Sequence, residues 1–208
     1  MTTIQAIRAA KQPPAHEGMR KIDTPPLSFL VRGTPFGPLA VLWAEHRHRP
    51  SIFRILLSAP GLPAERRVRI SFPEARHLSC PEIDLLADRM AAFLGGEDIP
   101  FSLDIARMDL CSEFQEGVLR AEHGIPRGRV STYRRIARHL GKPGAARAVG
   151  TALATNPFPI LIPCHRAVRS DGTLGGYQGG PAMKQTLLRI EGILFDASGH
   201  VVAEEFFY

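Results

Sequence analysis

Short runs of apolar residues separated by turn residues predict strands in the first half of the chain. Three such runs lie between residues 27 and 58, with the sequences LSFLVR, PLAVLW and SIFRILLS. Runs of β-branched and aromatic residues bounded by glycine, proline and polar residues are typical of a small antiparallel sheet. The later segment PEIDLLADRMAAFLGG predicts a helix, because it has apolar residues at helical spacing, namely Leu85, Leu86, Met90 and Phe93. We therefore expect residues 26–110 to form a small α/β domain with a short antiparallel sheet.

In the second half of the chain the apolar pattern indicates helices. Ser112 can cap a helix over FQEGVLRAEH, because a serine side chain accepts hydrogen bonds from the free N–H groups of a first turn. A second helix over TYRRIARHL begins after Ser131 or Thr132, and a Lys-Pro-Gly turn separates it from a third over AARAVGTALAT. Two short helices joined by such a turn are typical of a helix-turn-helix, and also of helical hairpins in general. We predict that residues 111–208 form a mainly helical domain with a helix-turn-helix.

The composition is that of a soluble globular protein. With 208 residues and 44% hydrophobic content, the chain can bury a core. No run of about 18 apolar residues occurs that could span a membrane. Residues 1–25 are polar, contain three prolines and show no sustained period, so we expect a tail there. Since this segment also lacks the features of a secretory signal, we expect a cytoplasmic protein.

The three cysteines, Cys80, Cys111 and Cys164, are expected to stay reduced. Their number is odd, and no two of them form a Cys-x-x-Cys pair. The eight histidines do not complete a zinc pattern with metal-ligand spacing. We therefore predict no metal site and no cofactor.

Positive charge is concentrated in the segment between Arg120 and Arg147. The whole chain has a formal net charge of +6, and in this segment one acidic residue, Glu122, stands against eight basic ones: Arg120, Arg127, Arg129, Arg134, Arg135, Arg138, Lys142 and Arg147. Such a run indicates either a solvated helix face or a nucleic-acid contact. The third predicted helix consists almost entirely of small residues, so it cannot read a row of base edges. It can pack closely against a neighbouring helix, or approach a DNA groove without reading its sequence.

The segment ILIPCHRAV places Cys164 beside a histidine. A lone cysteine is more often an inert small hydrophobe than a nucleophile. Here, however, Pro163 fixes the backbone, His165 can act as a base directly or through a water, and Arg166 adds positive charge that favours the thiolate. Because a free thiol has a pKa of about 8.5, it is mostly protonated at neutral pH. Any activation of this cysteine must therefore be local.

Two flanking segments bear on this thiol. Asn156 lies in TNPFPI between a helix and two prolines that block its continuation, where an asparagine can also simply cap or turn the chain. Downstream, SDGTLGGYQGG places five glycines around Tyr177 but lacks the spacing of a phosphate-binding Walker loop. Its glycines would let main chain approach a flat ligand beside the tyrosine ring. The alternative is a flexible loop without a ligand.

Taken together, these motifs resemble the methylated-DNA–protein-cysteine methyltransferases, also called O6-alkylguanine-DNA alkyltransferases. The resemblance covers roughly residues 111–192 and rests on FQEGVL, on IPRGRVSTYRRIARHLGKPGAARAVGTALATNPFPILIPCHRAVRSDGTLGGYQGG and on LLRIEG. Pro-Cys-His-Arg after an apolar run, which we expect to be a strand, is its most specific part. The resemblance implies a small α/β domain followed by a helical, DNA-binding alkyltransferase domain.

The family resemblance also implies roles for five catalytic residues. Cys164 would take the alkyl carbon from guanine O6 as a stable thioether, in a single turnover that follows base flipping. His165 would remove the thiol proton through a water, and Glu191 would polarise its imidazole. Asn156 would help to hold the site. Tyr133 would crowd the phosphate and assist protonation of the departing guanine.

The implied partner is double-stranded DNA carrying O6-alkylguanine, and O4-alkylthymine is a further candidate substrate. We expect the protein to act as a monomer and to bind no membrane. Arg147 would enter the duplex in place of the flipped nucleotide, and the full set of implied DNA contacts is Arg147, Tyr133, Arg134, Lys142, Ala146 and Ser170. The implied substrate pocket consists of Tyr177, Gln178, Gly179 and Pro159. At position 178 the main-chain N–H would face guanine O6, so side-chain identity is expected to matter little there.

Three positions depart from the family pattern. Leu119 stands where tryptophan is usual, Ala167 where valine is usual and Pro181 where leucine is common, and all three look like packing positions. Two other functions remain open: a sensor that binds alkylguanine without transferring the group, and a thiol hydrolase with a Cys-His-Glu arrangement. The presence of Cys164 argues against the sensor. A hydrolase would have no use for the basic helix pair.

Overall fold

A computed structural model describes residues 26–208 of the chain, and within them a sheet forms the centre of the N-terminal half. Its strands are β1 (Ser28–Arg32), β2 (Leu39–His46), β3 (Arg49–Leu57) and β4 (Arg76–His77). Their order is β3-β2-β1-β4, which places β3 at one edge. Strands β1, β2 and β3 pair antiparallel, as the apolar runs predict, and the two-residue β4 adds a parallel pairing to β1. The predicted N-terminal tail lies outside the described residues.

Helices α1 (Ala64–Ser71) and α2 (Pro81–Leu94) accompany this sheet. Helix α2 confirms the helix predicted from the apolar spacing, whereas α1 was not anticipated from the sequence. The buried face of α2 consists of Ile83, Ala87, Met90, Phe93 and Leu94. Leu85 is 62% exposed, so its assignment to the apolar face is wrong. A stripe that begins at Ile83 and recurs every three or four residues leaves Leu85 on the outer side.

The C-terminal half of the described chain is mainly helical. Its helices are α3 (Glu113–His123), α4 (Tyr133–His139), α5 (Ala146–Ala154) and α6 (Pro181–Ile190). Short parallel strands β5 (Ser131–Thr132) and β6 (Ala167–Val168) pair with each other, and β7 (Leu194–Phe195) pairs antiparallel with β8 (Val201–Val202). The observed mixture of a small sheet and helices confirms the predicted fold class.

The helix starts follow the capping residues expected from the sequence. Ser112 Oγ accepts a hydrogen bond from Gln115 N at 3.2 Å at the start of α3. Thr132 Oγ1 accepts one from Arg135 N at 3.2 Å at the start of α4. Between α4 and α5, Gly141 has a φ of 69°, in the left-handed region that glycine tolerates best. The helix-turn-helix prediction is confirmed in these elements.

A shared hydrophobic cluster joins the two halves of the molecule. It includes Val41 and Ile55 from the sheet together with Val118 and Ile136 from helices α3 and α4. A continuous core therefore extends across the predicted domain boundary after residue 110. This division into two domains stays a prediction. Among residues 26–208, no helix has the length and apolar character needed to cross a lipid bilayer.

Candidate active site

A tight turn carries Cys164. Ile162 N donates to Phe158 O at 2.9 Å, and Ile160 between them has a φ of 76°. A β-branched residue in this left-handed region is strained, and such strain persists only where the surrounding structure holds it. The prediction of an apolar strand before the cysteine is therefore wrong, because the interspersed prolines lack N–H donors and favour a turn.

Cys164 begins a single turn of 3-10 helix, Cys164–Arg166. Only 7% of the Cys164 surface is exposed. Burial raises the pKa of its thiol to about 11, and a hydrogen bond from the Asn156 side chain offsets part of this rise. At pH 7 a thiol with such a pKa is ionised to roughly one part in 10,000. The resting cysteine is therefore a protonated thiol that needs a base.

A buried imidazole–carboxylate pair lies directly after the cysteine. His165 Nε2 is 2.9 Å from Glu191 Oε1, and Glu191 follows the last residue of α6. Arg166 donates to the same carboxylate twice, from Nε to Oε2 and from Nη2 to Oε1, each at 2.8 Å. All three side chains are buried. The Arg166 charge is thus paired with Glu191, so the expectation that it favours the thiolate is wrong for the resting protein.

This pairing sets the proton positions at the site. Burial works against the Glu191 carboxylate, but hydrogen bonds from His165 and Arg166 hold its pKa down at about 2. Burial lowers the pKa of His165 despite the nearby carboxylate. The imidazole is therefore neutral at neutral pH, with Nε2 as the donor to Glu191. Its Nδ1 is buried and has no hydrogen-bond partner among the described residues, which leaves a free lone pair.

Asn156 both shapes the turn and reaches the thiol. Its Oδ1 accepts from Phe158 N at 2.9 Å, and its Nδ2 donates to Ile162 O at 3.3 Å. The same side chain hydrogen-bonds Cys164 and thereby lowers its pKa. The two roles considered from the sequence, turning the chain and holding the site, are thus combined in one buried amide.

Tyr133, the first residue of α4, lies against the segment SDGTLGGYQGG, residues 170–180, which we call the glycine loop. A Cβ atom built on Gly175 would lie 2.0 Å from the Tyr133 hydroxyl oxygen, so the hydroxyl occupies the space that only glycine leaves free. Burial raises the pKa of Tyr133 to about 12, and the nearby Glu122 and Cys164 contribute to this rise. Tyr133 is therefore protonated at neutral pH and can donate a proton close to the sulfur.

Three of the four predicted pocket residues, Tyr177, Gln178 and Gly179, belong to the glycine loop itself. The Tyr177 ring has its centroid 6.2 Å from the His165 ring in an edge-on arrangement, and its buried hydroxyl has no hydrogen-bond partner among the described residues. Met183 Sδ fills the space beside Gly179, 2.1 Å from an added Cβ. Pro159 is buried in the turn before Cys164. The Gln178 side chain is bonded to strand β3, where its Oε1 accepts a hydrogen bond from Leu57 N at 2.6 Å.

Apart from Tyr133, the predicted DNA contacts lie outside this buried cluster. Arg134, Lys142, Arg147 and Ser170 are exposed, while Ala146 is half-buried at the start of α5. The opposite face of α5 packs into the core through Val149, Ala152 and Leu153. One face of helix α5 therefore packs against the core, as one interpretation of its small residues predicts. On the other face Arg147 is exposed and can contact a ligand.

Two buried ionisable residues near the cysteine were not singled out from the sequence. Lys184 is fully buried and its Nζ donates to Ala167 O at 2.6 Å. Glu122 is also fully buried, and neither of its carboxylate oxygens has a hydrogen-bond partner among the described residues. The available signal was their helical spacing, since Lys184 shares a face with Leu187 and Leu188, and Glu122 follows Val118 by one turn.

Of the departures from the family pattern, Leu119 and Ala167 are fully buried packing positions, as expected. Pro181 is exposed at the first position of α6, where proline fits a helix start, so its assignment to packing is wrong. Within residues 26–208, no three His, Cys, Asp or Glu side chains lie close enough together to hold a metal ion.

Comparison with known proteins gives consistent matches. Residues 113–193 match the family model described as "6-O-methylguanine DNA methyltransferase, DNA binding domain". A methylated-DNA–protein-cysteine methyltransferase of Salmonella typhimurium is 38% identical over 173 residues, which cover 77% of this chain and 93% of that protein. One from Methanothermobacter thermautotrophicus is 44% identical over 111 residues, which cover 53% of this chain and only 62% of that relative.

The fold is similar to that of a solved structure with DNA. The Mycobacterium tuberculosis protein OGT in complex with DNA superposes with a TM-score of 0.62 at 31% sequence identity. The superposition covers 79% of this chain and 92% of that one. It therefore includes residues from both halves of the molecule.

Proposed function

The chain belongs to the methylated-DNA–protein-cysteine methyltransferase family, and we propose that it repairs duplex DNA by moving the alkyl group of O6-alkylguanine irreversibly onto Cys164. The observation that carries the proposal is the order of groups at the thiol. A nearly buried sulfur is followed by a neutral imidazole, which is fixed by a carboxylate at 2.9 Å. This arrangement can create a thiolate only as the reaction requires it.

Proton removal is the first step of the proposed reaction. The free lone pair on His165 Nδ1 accepts the Cys164 proton through a water, and Glu191 stabilises the imidazolium that forms. Because the resting thiol has a pKa of about 11, the uncatalysed thiolate population is too small to support rapid transfer. Asn156 steadies the sulfur through its hydrogen bond.

Alkyl transfer is a displacement at carbon. A sulfur–carbon bond forms as the carbon–O6 bond breaks, and the electron pair of the broken bond goes to the guanine. Tyr133 supplies a proton to the departing base, and the imidazolium can return one to the tyrosinate through solvent. A thioether has no good leaving group, so each molecule reacts once.

The reacting base must first leave the helical stack. Extrusion of a nucleotide requires a few kcal/mol, less when alkylation has weakened its pairing. Exposed Arg147 lies on α5 among small residues, where it can occupy the vacated place, and the helix backbone can approach the groove without reading sequence. The exposed arginines and lysine of α4 and the following turn bind phosphates.

Mass spectrometry tests the proposal. Incubation with a duplex bearing O6-methylguanine is expected to replace one thiol hydrogen of Cys164 by a methyl group, with one transfer per protein molecule. Cys164→Ala is expected to abolish the transfer, and Cys111→Ala, which removes another reduced and partly exposed thiol, serves as the matched control. Retained transfer in Cys164→Ala would remove the acceptor role.

Other outcomes separate the alternative functions. Tight binding of the alkylated duplex without any mass change would identify a sensor, and repeated product formation without a protein adduct would identify a hydrolase. A second incubation, with a duplex that carries O4-methylthymine, determines whether this base is also a substrate.

A further inference from the structure

The edge strand β3 is bonded to two segments that flank Cys164. Ile55 N donates to Pro157 O at 2.8 Å, and Leu57 N donates to Gln178 Oε1 at 2.6 Å. Ile55 and Leu57 are two residues apart, so their N–H groups point to the same side of the strand. The sheet of the N-terminal half thus holds both the turn before the cysteine and the glycine loop after it.

The contact at Gln178 is a bridge of three groups. Gln178 Oε1 also accepts from Arg67 Nη1 at 3.1 Å, and the same Arg67 nitrogen donates to Leu57 O at 2.6 Å. Arg67 lies on α1, and Gln178 is 121 residues after Leu57. We call this arrangement, formed by Gln178, Arg67 and the Leu57 backbone, the Gln178 bridge.

The loop held by this bridge carries groups that face the reacting centre. Tyr177, next to Gln178, has its ring edge-on to His165, and Gly175 makes room for the Tyr133 hydroxyl. Pro60 also lies in contact distance of the loop, 3.5 Å from a Cβ atom built on Gly180. Fixing Gln178 to β3 therefore fixes the loop main chain on which the alkylated base would rest.

We propose that Gln178 and Arg67 are positioning residues that hold the glycine loop at the distance from Cys164 required to bind the extruded base. This proposal rests on the alkyltransferase function given above. It assigns a part in substrate binding to the N-terminal sheet and α1. It also reverses the expectation that side-chain identity at position 178 matters little.

The chemistry of the bridge makes it sensitive to both partners. The amide oxygen accepts hydrogen bonds from the charged Arg67 guanidinium and from the Leu57 N–H, for which the described part of the chain offers no other acceptor. Charge-assisted hydrogen bonds are stronger than those between neutral groups. Removal of the Gln178 side chain leaves the buried Leu57 N–H unpaired and releases the loop. Removal of the Arg67 side chain leaves the loop bonded only to the backbone.

Single-turnover kinetics with free O6-benzylguanine test the proposal without a requirement for base flipping. We expect Gln178→Ala to raise the substrate concentration needed for half-maximal rate by about tenfold and to change the maximal rate little. Arg67→Ala is expected to act in the same direction, and the double variant to be no worse than Gln178→Ala, because both remove one bridge. Gln178→Glu keeps the acceptor oxygen and is expected to restore most of the binding.

Two controls separate positioning from folding. Arg66→Ala removes the same charge from the exposed neighbouring position on α1 and is expected to bind as the unmodified protein does. Alkylation of Cys164 by iodoacetamide reports the thiol and its base alone, and it is expected to be equal in all variants.

Each outcome has one meaning. The bridge proposal would be overturned if Gln178→Ala and Arg67→Ala need the same O6-benzylguanine concentration for half-maximal rate as the unmodified protein, while the unmodified protein transfers the group. Parallel losses of maximal rate and of iodoacetamide reactivity would also overturn it, because they indicate a general structural role. Absence of transfer in the unmodified protein would instead contradict the proposed function.

Discussion

At the scale of single residues, Tyr133 and Gly175 are matched to each other. The tyrosine hydroxyl lies where any side chain at position 175 would begin, with the ring carbon Cζ only 2.9 Å from an added Cβ. Gly175 is therefore required by close approach and not by its backbone angles. Its neighbour Gly176 has no atom of residues 26–208 within 4 Å of an added Cβ.

This difference gives a paired test of the proton donor. Gly175→Ala is expected to displace the Tyr133 hydroxyl and to slow transfer from O6-methylguanine by about tenfold or more, because a misplaced general acid loses most of its effect. Gly176→Ala adds the same methyl group to the same loop and is expected to react at nearly the unmodified rate. Equal rates in the two variants, measured by single-turnover quench, would contradict a role for the position of that hydroxyl.

Sequence reasoning reached most of the residues that meet at the sulfur, but it did not reach their proton states. Cys164, His165, Glu191 and Asn156 come together as the family resemblance implies. The pKa of the thiol is nevertheless raised, because burial outweighs the Asn156 hydrogen bond and the positive charge of Lys184. Burial depends on contacts between distant segments, which the order of residues alone does not provide.

At the scale of elements, helix α5 has one face that packs in the core and one face that is exposed. Val149, Ala152 and Leu153 anchor one face in the core, whereas Arg147 and Ala148 are exposed on the other. The small residues permit a close approach to DNA, and the long arginine is the one side chain of this helix that could reach into the duplex.

Arg147→Ala is accordingly expected to slow repair of duplex DNA far more than reaction with free O6-benzylguanine, since only the duplex requires extrusion of the base. Arg138→Ala, which removes an exposed arginine from the last turn of α4, should weaken duplex binding modestly and leave reaction with the free base unchanged. Single-turnover rates on both substrates provide the measurement. Equal losses of Arg147→Ala on the two substrates would refute the placeholder role.

Elements with a clear period and clear caps could be predicted, and those fixed by tertiary contacts could not. Strands β1 to β3 and helices α2 to α5 follow from apolar spacing and from Ser112 and Thr132 as caps. The run before Cys164 is as apolar as a strand, yet prolines and the left-handed Ile160 turn it. Helix α6 begins at a proline and has a buried lysine on its inner face, which weakens its amphipathic pattern.

At the scale of the whole molecule, buried Glu122 links stability to pH. Burial raises its pKa from 4.5 to about 8, although the charges of Lys184 and Arg166 work against the rise. Between these pH values the folded state keeps the proton that the unfolded chain has released. The free energy of unfolding therefore falls as pH rises from about 4.5 through about 8.

Glu122→Gln is expected to remove this contribution, which amounts to at most about 1.4 kcal/mol per pH unit. Urea unfolding at about pH 5.5 and about pH 7.5 measures it, since the loss of stability between the two should be larger in the unmodified protein than in the variant. Glu113→Gln, on the exposed side of α3, is the control and should retain the full loss. An identical pH dependence in Glu122→Gln would mean that Glu122 is ionised in the folded protein.

The covering of strand β3 also bears on how the protein behaves in solution. Its outer N–H groups at Ile52, Ile55 and Leu57 are all occupied, by Ile105, Pro157 and Gln178. An uncovered edge strand is a template on which another chain can add and aggregate. These three segments thus cover the edge of the sheet, and we expect a molecule in which they detach to be exposed to self-association.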